Sequence, residues 1–323
     1  VEVNKELGKG AVRKSKLKNS KMEFLKKEWK KNKYIYIMLI PVLAFYLVFC
    51  YGPMYGLAMA FQSSYSPTKG ILAGTWIGFD NFTMFFKSFF FGRLLKNTII
   101  LSLYSLAIGF PAPILLALML NEVKSKFFKR TVQTVSYLPH FISVVVIVGM
   151  IKTFSSLDNG LFNIIRVFFG FEPVMFLAEK AMFRPMYILT NIWQGAGWAS
   201  IMFLAALSNI DTQLYEAAKI DGAGRWKQLL NVTIPGIMPT IVIMLIMRLG
   251  SIMNSDFQKI LLMQTAATYE TSDVISTFVY RQGMQNGDYT YSTAIGLFNS
   301  VINFGLLILA NKISRKVNET SLW

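Results

Sequence analysis

The 323-residue chain carries one cysteine, Cys50, and one histidine, His140. A lone thiol excludes an intrachain disulfide framework, and a Cys/His zinc cluster or a pair of histidine ligands is excluded with it. Charge is scarce as well: 15% of residues are Asp, Glu, Lys or Arg, against about 25% in an ordinary soluble domain. No G-x-x-x-x-G-K-[ST] occurs, and GAGWAS from Gly195 and GAGRWK from Gly222 lack its spacing, so the chain itself is not expected to hold ATP. No Ser/His/Asp or Cys/His set is available on a common face, and carboxylates are nearly absent from the apolar runs. Nucleophilic catalysis and intramembrane proteolysis are therefore both unsupported. What is present is apolar: 54% hydrophobic residues, 15% aromatic, and a mean hydropathy of +0.44. A chain with so few polar residues cannot cover its surface in water, and lipid is the expected solvent.

The apolar residues gather in six runs near the ~20 residues that cross a hydrocarbon core as helix. They span 34–61, 97–120, 135–154, 185–207, 237–263 and 291–310. Pro41, Pro111, Pro113 and Gly250 inside them are tolerable in a membrane bundle, where neighbouring helices satisfy freed backbone groups. The net charge of +16 is distributed asymmetrically: with a cytoplasmic amino terminus, 22 of 33 basic residues fall on inside segments, 12 of them within residues 1–33. That bias predicts an all-α, polytopic membrane protein with six transmembrane helices and both termini cytoplasmic. The expected parts are a basic tail (1–33), a six-helix transmembrane bundle (34–310) and a second cytoplasmic tail (311–323). Residues 1–33 are too long and too charged for the n-region of a cleaved signal, so the first helix is expected to stay. Met22, Leu25 and Trp29 among Lys21, Lys26, Lys27, Lys30 and Lys31 fit a short helix on the inner leaflet; a solvated basic tail fits equally. Nucleic acid is not an expected partner, because the basic run abuts a span and no zinc pattern is possible.

The segment 208–239, SNIDTQLYEAAKIDGAGRWKQLLNVTIPGIMP, is the most informative. Asp211 can cap a helix from Thr212, and Gly222 permits a left-handed turn at its end. Arg225 and Trp226 then start a second helical turn, expected to stop before Pro235. Glu216, Ala217 and Ala218 offer one charge beside two minimal side chains, which suits close approach of another protein. Glu216-Ala217-Ala218, three residues, Gly222, nine residues, then Val232-Thr233-Ile234-Pro235 resembles the EAA loop of binding-protein-dependent ABC importer permeases, with Val232 and Ile234 as conservative departures. Asp221 and Trp226 within EAAKIDGAGRWKQ resemble the carbohydrate branch. YGPMYGLAMAFQSSYSPTKGI, WIGFDNF, SYLPHFIS, NIWQGAGWASIMFLAAL, SDVISTFVYRQGM and the terminal SLW resemble permeases of oligosaccharide and polysaccharide-fragment importers, from about residue 34 to the end. The resemblance implies a non-catalytic permease of a bacterial cytoplasmic membrane. It would pair with a second homologous permease, two ATPase subunits that carry ATP and Mg, and an extracytoplasmic solute-binding protein. It also implies that Glu216, Ala217, Ala218, Asp221, Gly222, Trp226 and Pro235 form the ATPase-coupling loop.

A solute rich in hydroxyls needs polar groups along its route, since an unsatisfied buried hydroxyl costs about 1–3 kcal/mol. Ser292, Gly296, Asn299 and Asn303 share one helical face; Arg248, Ser251 and Ser255 share another, flanked by Asn254. Tyr137, His140 and Ser143 in the third run, and Asn191, Gln194 and Trp198 with Trp193 in the fourth, complete the candidate path. Aromatic rings beside amides suit sugars, but Asn, Ser and Gly at this spacing also bond membrane helices together. Arg248 stands out because an ionised group in mid-membrane normally faces a cavity or a partner. For His140, next to Pro139, a structural hydrogen bond is the expected role. Lys259 is the second cation inside a run. Outside loops with Trp76, Glu270, Asp273, Arg281 and Asp288 form an expected charged rim for a binding protein. The rival reading, a secondary transporter driven by an ion gradient, would need intramembrane carboxylates or paired broken helices.

Overall fold

The computed structural model describes residues 27–66, 68, 70–254 and 256–318. Met22, Leu25, Ser255 and the terminal SLW lie outside the described residues. The chain divides into two compact units, 1–58 and 59–323. Among the described residues every long element is helical, and the extended contact is an isolated bridge between Gln62 and Trp76.

Helix α1 runs Lys27–Phe61, and its most apolar 18-residue window has no buried residue. Trp29 lies on this helix, its ring stacked on that of Tyr36, two turns further on, at 5.5 Å. Exposed apolar side chains lie all round it, Ile37, Leu43, Leu47 and Phe49 among them, and they are stable only against lipid or another apolar surface.

The second unit holds the remaining helices. Short α2 (Asp80–Lys87) precedes α3 (Phe91–Glu122), which is followed by α4 (Lys126–Phe141) and α5 (Val144–Phe154). Next come α6 (Leu161–Phe168), α7 (Lys180–Ser208), α8 (Thr212–Ile220) and α9 (Arg225–Leu249). The last are α10 (Phe257–Met263), α11 (Ile275–Tyr280) and α12 (Tyr289–Asn318). Three apolar clusters hold them together. Leu101, Ile147, Phe183, Tyr187 and Ile260 form one; Phe85, Leu94, Ile275, Phe278 and Ile295 the second; Ala117, Phe203, Leu207 and Ile237 the third.

By length and composition α1, α3, α9 and α12 can cross a membrane, and a fifth crossing arises if α4 and α5 count as one broken span. This is a multi-pass construction. The run 135–154 is not one straight helix: α4 and α5 meet at 102°, after the 3-10 turn that carries Pro139 and His140. Ser143 caps the new helix by accepting from the Val146 N–H, so the break is locally satisfied. Helix α7, 29 residues and so about 43 Å long, exceeds the ~30 Å of a hydrocarbon core. Its polar residues Asn191 and Gln194 dilute its hydropathy, and its length alone does not place it among the apolar spans.

Prolines shape the long helices in a regular way. A wide π turn ends two residues before Pro53, Pro111 and Pro235, at 46–51, 105–109 and 229–233. Opening the helix by one residue accommodates a ring that would otherwise clash with the preceding turn. The helical turn begun at Arg225 therefore does not stop before Pro235. It continues through it, and α9 ends at Leu249 rather than reaching residue 263.

At one end of the bundle, Asp273 is fully buried and bridges Arg93 at 2.9 Å and Arg281 at 2.6 Å. Asn97 accepts from Arg184 at 2.8 Å and donates to the carbonyls of Glu270 and Asp273 at 3.0 Å. Asp273 and Arg281 thus tie α3 to α11 instead of forming a rim. Glu270 is exposed and pairs with Lys180, whose ammonium holds the Glu270 carboxyl below its usual range. A lowered carboxyl pKa stabilises the fold above the unfolded value and loses that contribution on acidification. Glu270→Gln is therefore expected to lower thermal stability slightly at neutrality, since exposed pairs contribute little, and to converge on the wild type as the pH falls below about 4.5, which thermal unfolding followed across pH checks.

Candidate functional site

Two features stand out, a hairpin on the surface and a polar cavity inside the second unit. The hairpin follows from local chemistry. Asp211 caps α8, its Oδ1 accepting from the Gln213 N–H at 2.9 Å. The helix closes where the Asp221 N–H donates to the Ala217 carbonyl at 3.0 Å and the Ala223 N–H to the Ala218 carbonyl at 2.8 Å. Gly222 supplies the turn with φ +75°. Gln228 donates to the Ala223 carbonyl at 2.7 Å, and the Tyr215 hydroxyl meets Thr233 at 3.0 Å, bracing α8 against the start of α9.

Its outer surface presents Glu216 and Ala217, with Ala218 half-buried, Asp221 and Pro235 exposed, and Trp226 77% exposed. Sequence reasoning missed Ile220, 88% exposed beside Asp221, and Leu214, also exposed. A nine-residue helix carrying Leu214 and Ile220 on the surface, with Trp226 just beyond it, exposes apolar side chains that none of the described residues cover. The signal available in the sequence was the Ile220 position itself, out of phase with the half-buried Tyr215 and Ala218.

The cavity, about 390 Å³, lies between α3, the end of α4, α5, α7, α9 and α10. Ser102 and Ser105, His140, Asn191 and Gln194, Arg248, Ser251, Asn254, Asp256 and Lys259 supply its polar groups. A second cavity of about 370 Å³ shares Ser105, Asn191, Gly195, Arg248 and Ser251, so Arg248 stands where the two adjoin. Its guanidinium donates to the Ser105 hydroxyl at 2.6 Å. Among the described residues no carboxylate lies within 4.0 Å of it. Gln194 donates to the Ile142 carbonyl at 3.3 Å, steadying the α4–α5 break. His140 lies flat on Trp198, centroids 4.7 Å apart and planes 2° from parallel, so an aromatic stack holds it rather than the hydrogen bond expected from sequence. Lys259 joins the same wall.

The remaining candidates fall elsewhere. Asn299 and Asn303 are buried, donating to the Asn254 Oδ1 at 2.7 and 3.2 Å, while Asn303 also accepts the Met253 N–H at 3.0 Å. They fasten the chain where α9 ends, leaving Asn254 to face the cavity. Trp193 lines a separate apolar groove with Val135, Pro139 and Gly197. Tyr137, at the end of the regular part of α4, is half-buried and lines neither polar cavity.

Long apolar helices enclosing a polar, cationic cavity, with an exposed hairpin between two of them, are the construction of a membrane transport subunit. Residues 109–319 match the family described as binding-protein-dependent transport system inner membrane component, and the chain belongs to that family. It is 43% identical to the polygalacturonan/rhamnogalacturonan transport system permease protein YteP of Bacillus subtilis (strain 168), over 90% of this chain and 91% of the relative. It is 42% identical to the Protein LplB of the same organism, over 91% and 92%. Among solved structures, a bacterial ABC transporter involved in import of the acidic polysaccharide alginate has a chain 46% identical with TM-score 0.85, covering 91% of this chain and 99% of its own. A further alginate transporter structure, in complex with an alginate pentasaccharide-bound periplasmic protein, is 44% identical with the same TM-score of 0.85, covering 92% of this chain and 99% of its own.

Proposed function

We propose that this chain is a non-catalytic transmembrane subunit of an ATP-driven importer of oligosaccharides that carry carboxylates. The observation that carries the reading is the exposed α8 hairpin, whose Glu216, Ala217, Ala218, Ile220 and Trp226 offer one charge and an apolar face to another protein. In this reading it seats in a cytoplasmic ATPase subunit, and two such subunits hold ATP and Mg. A second homologous permease completes the pathway, and an extracytoplasmic binding protein delivers solute. With α7 and the broken α4–α5 pair counted as crossings, α1, α3, α9 and α12 bring the spans to six, both termini facing the cytoplasm of a bacterial cell.

ATP binding would close the ATPase pair, move the hairpin and rock the helices about the cavity; no bond in the solute changes. The acidic class is supported by Arg248, a cation on a polar cavity wall with no carboxylate among the described residues within 4.0 Å, and by the acidic polysaccharides named for the relatives. Reconstituted with its partners, the chain is expected to take up a galacturonate trimer with ATP inside the vesicle and binding protein outside. Uptake that persists without ATP, and stops when the proton or sodium gradient collapses, would overturn this reading. Arg248→Gln is expected to lower uptake of the trimer by roughly 10-fold or more, the worth of one hydrogen bond to a charged group, in complexes that still assemble.

A further inference from the structure

Among the described residues Lys259 is the one lysine whose side chain is buried, at 3% exposure, and it stands apart from the hairpin. Its Nζ donates to the Asn191 Oδ1 on α7 and stands 3.3 Å from the Asp256 Oδ2. Asp256 is held at three points. Its N–H donates to the Tyr187 hydroxyl at 3.1 Å, its Oδ1 caps α10 by accepting the Lys259 N–H at 3.3 Å, and its Oδ2 faces the ammonium. The two side chains differ sharply in access, 38% for Asp256 against 3% for Lys259. The cation is pinned in the wall, and the anion lies over it, open to the cavity.

Arg248, Lys259 and Asp256 are the charged residues lining this cavity, with His140 the other titratable group besides Tyr187. Two cations against one carboxylate leave a single excess positive charge, which one sugar carboxylate would neutralise. Arg248 would meet that carboxylate without a competitor, whereas Lys259 already has one. A buried ammonium without a counter-anion is costly, so Asp256 serves as a built-in stand-in. A solute held by both cations without competition would also be slow to leave, and transport requires release.

We propose that Lys259 and Asp256 form an exchange pair that reads one uronate carboxylate. The solute's carboxylate displaces Asp256 from Lys259 while Arg248 takes its other oxygen, and the return of Asp256 expels it. This rests on the importer reading above and adds to it the residue that discriminates acidic from neutral sugar and the residue that limits retention.

The test uses the complex assembled in proteoliposomes, with a galacturonate trimer and the same trimer after reduction of its carboxylates to primary alcohols. The wild type is expected to favour the acidic trimer. Lys259→Met is expected to lower the acid-to-neutral uptake ratio roughly 10- to 100-fold, the loss of one charge-assisted contact. Asp256→Asn keeps an equally good helix cap and removes the competitor. It is expected to lower the half-saturating concentration of the acidic trimer roughly 3- to 5-fold, the worth of a part-exposed pair, and to lower its maximal rate. If Lys259→Met does not assemble, the Asp256→Asn result decides. Equal changes for both trimers, or an Asp256→Asn complex whose half-saturating concentration for the acidic trimer is unchanged or raised, would overturn the exchange pair while leaving the importer reading intact. A wild-type complex that assembles and takes up neither trimer would overturn both.

Discussion

Replacing Gly197 with leucine is expected to abolish accumulation of the folded protein, and replacing it with alanine to destabilise it by about 1–3 kcal/mol. A β-carbon built at Gly197 on α7 would lie 2.0 Å from the carbonyl oxygen of Ser136 on α4 and 2.4 Å from its carbonyl carbon. Those are backbone atoms, so no side-chain rotation relieves the clash, and the two helices must separate. Separation would open the packing beside Trp193 and shift Pro139 and His140, which belong to the turn leading into α5. Gly149→Ala is the matched control: its added methyl meets nothing within 4 Å, and alanine is the better helix former by about 1 kcal/mol. Thermal unfolding in detergent, followed by retention of a monodisperse elution profile, separates the two variants. A Gly197→Ala variant as stable as the wild type would show that α4 and α7 do not approach this closely.

Glu216→Lys and Gly222→Val are expected to leave a folded permease that no longer couples, with solute-stimulated ATP hydrolysis lost almost completely. Glu216 is exposed on α8 and has no ion-pair partner among the described residues, so reversing its charge changes stability little, within about 0.5 kcal/mol. In the proposed complex the damage would fall at the contact with the ATPase subunit, where the charge offered by the hairpin is reversed. Gly222 acts differently. Nothing lies within 4 Å of its missing β-carbon, yet its φ of +75° is a conformation that a β-branched residue strongly resists. Valine there would swing α8 relative to Arg225 and so redirect Ile220 and Trp226. Gly222→Asn, which tolerates the left-handed region, is expected to retain most of the coupling. Stimulated hydrolysis undiminished in both Glu216→Lys and Gly222→Val would remove the hairpin from the coupling role.

The hairpin was legible in the sequence because short-range chemistry builds it: Asp211 caps the Gln213 N–H two residues on, and Gly222 supplies the left-handed turn. Spans were legible as apolar runs, but their directions were not. Hydropathy is blind to the 102° break before Val144, and Pro139 marks a disturbance without giving its angle. The same blindness let residues 237–263 read as one run, although α9 starts at Arg225 and gives out at Leu249. Polar stripes named the right kinds of residue and only some of the right neighbours. Helical periodicity places Asn299 and Asn303 on a common face but does not say that Asn254 waits opposite them. Asp273 shows the same limit more strongly, since its partner Arg93 lies 180 residues away in the chain. Lys259 was visible as an anomaly, and its meaning needed Asp256 and Asn191 in three dimensions.

The most direct measurement of the central claim is ATP hydrolysis by the assembled complex as a function of solute-loaded binding protein. An ATP-driven importer coupled through the α8 hairpin predicts hydrolysis that rises with galacturonate-loaded binding protein, with uptake in fixed proportion to it, both lost in Glu216→Lys. Hydrolysis indifferent to loaded binding protein, or uptake that continues when ATP is withheld, would contradict it.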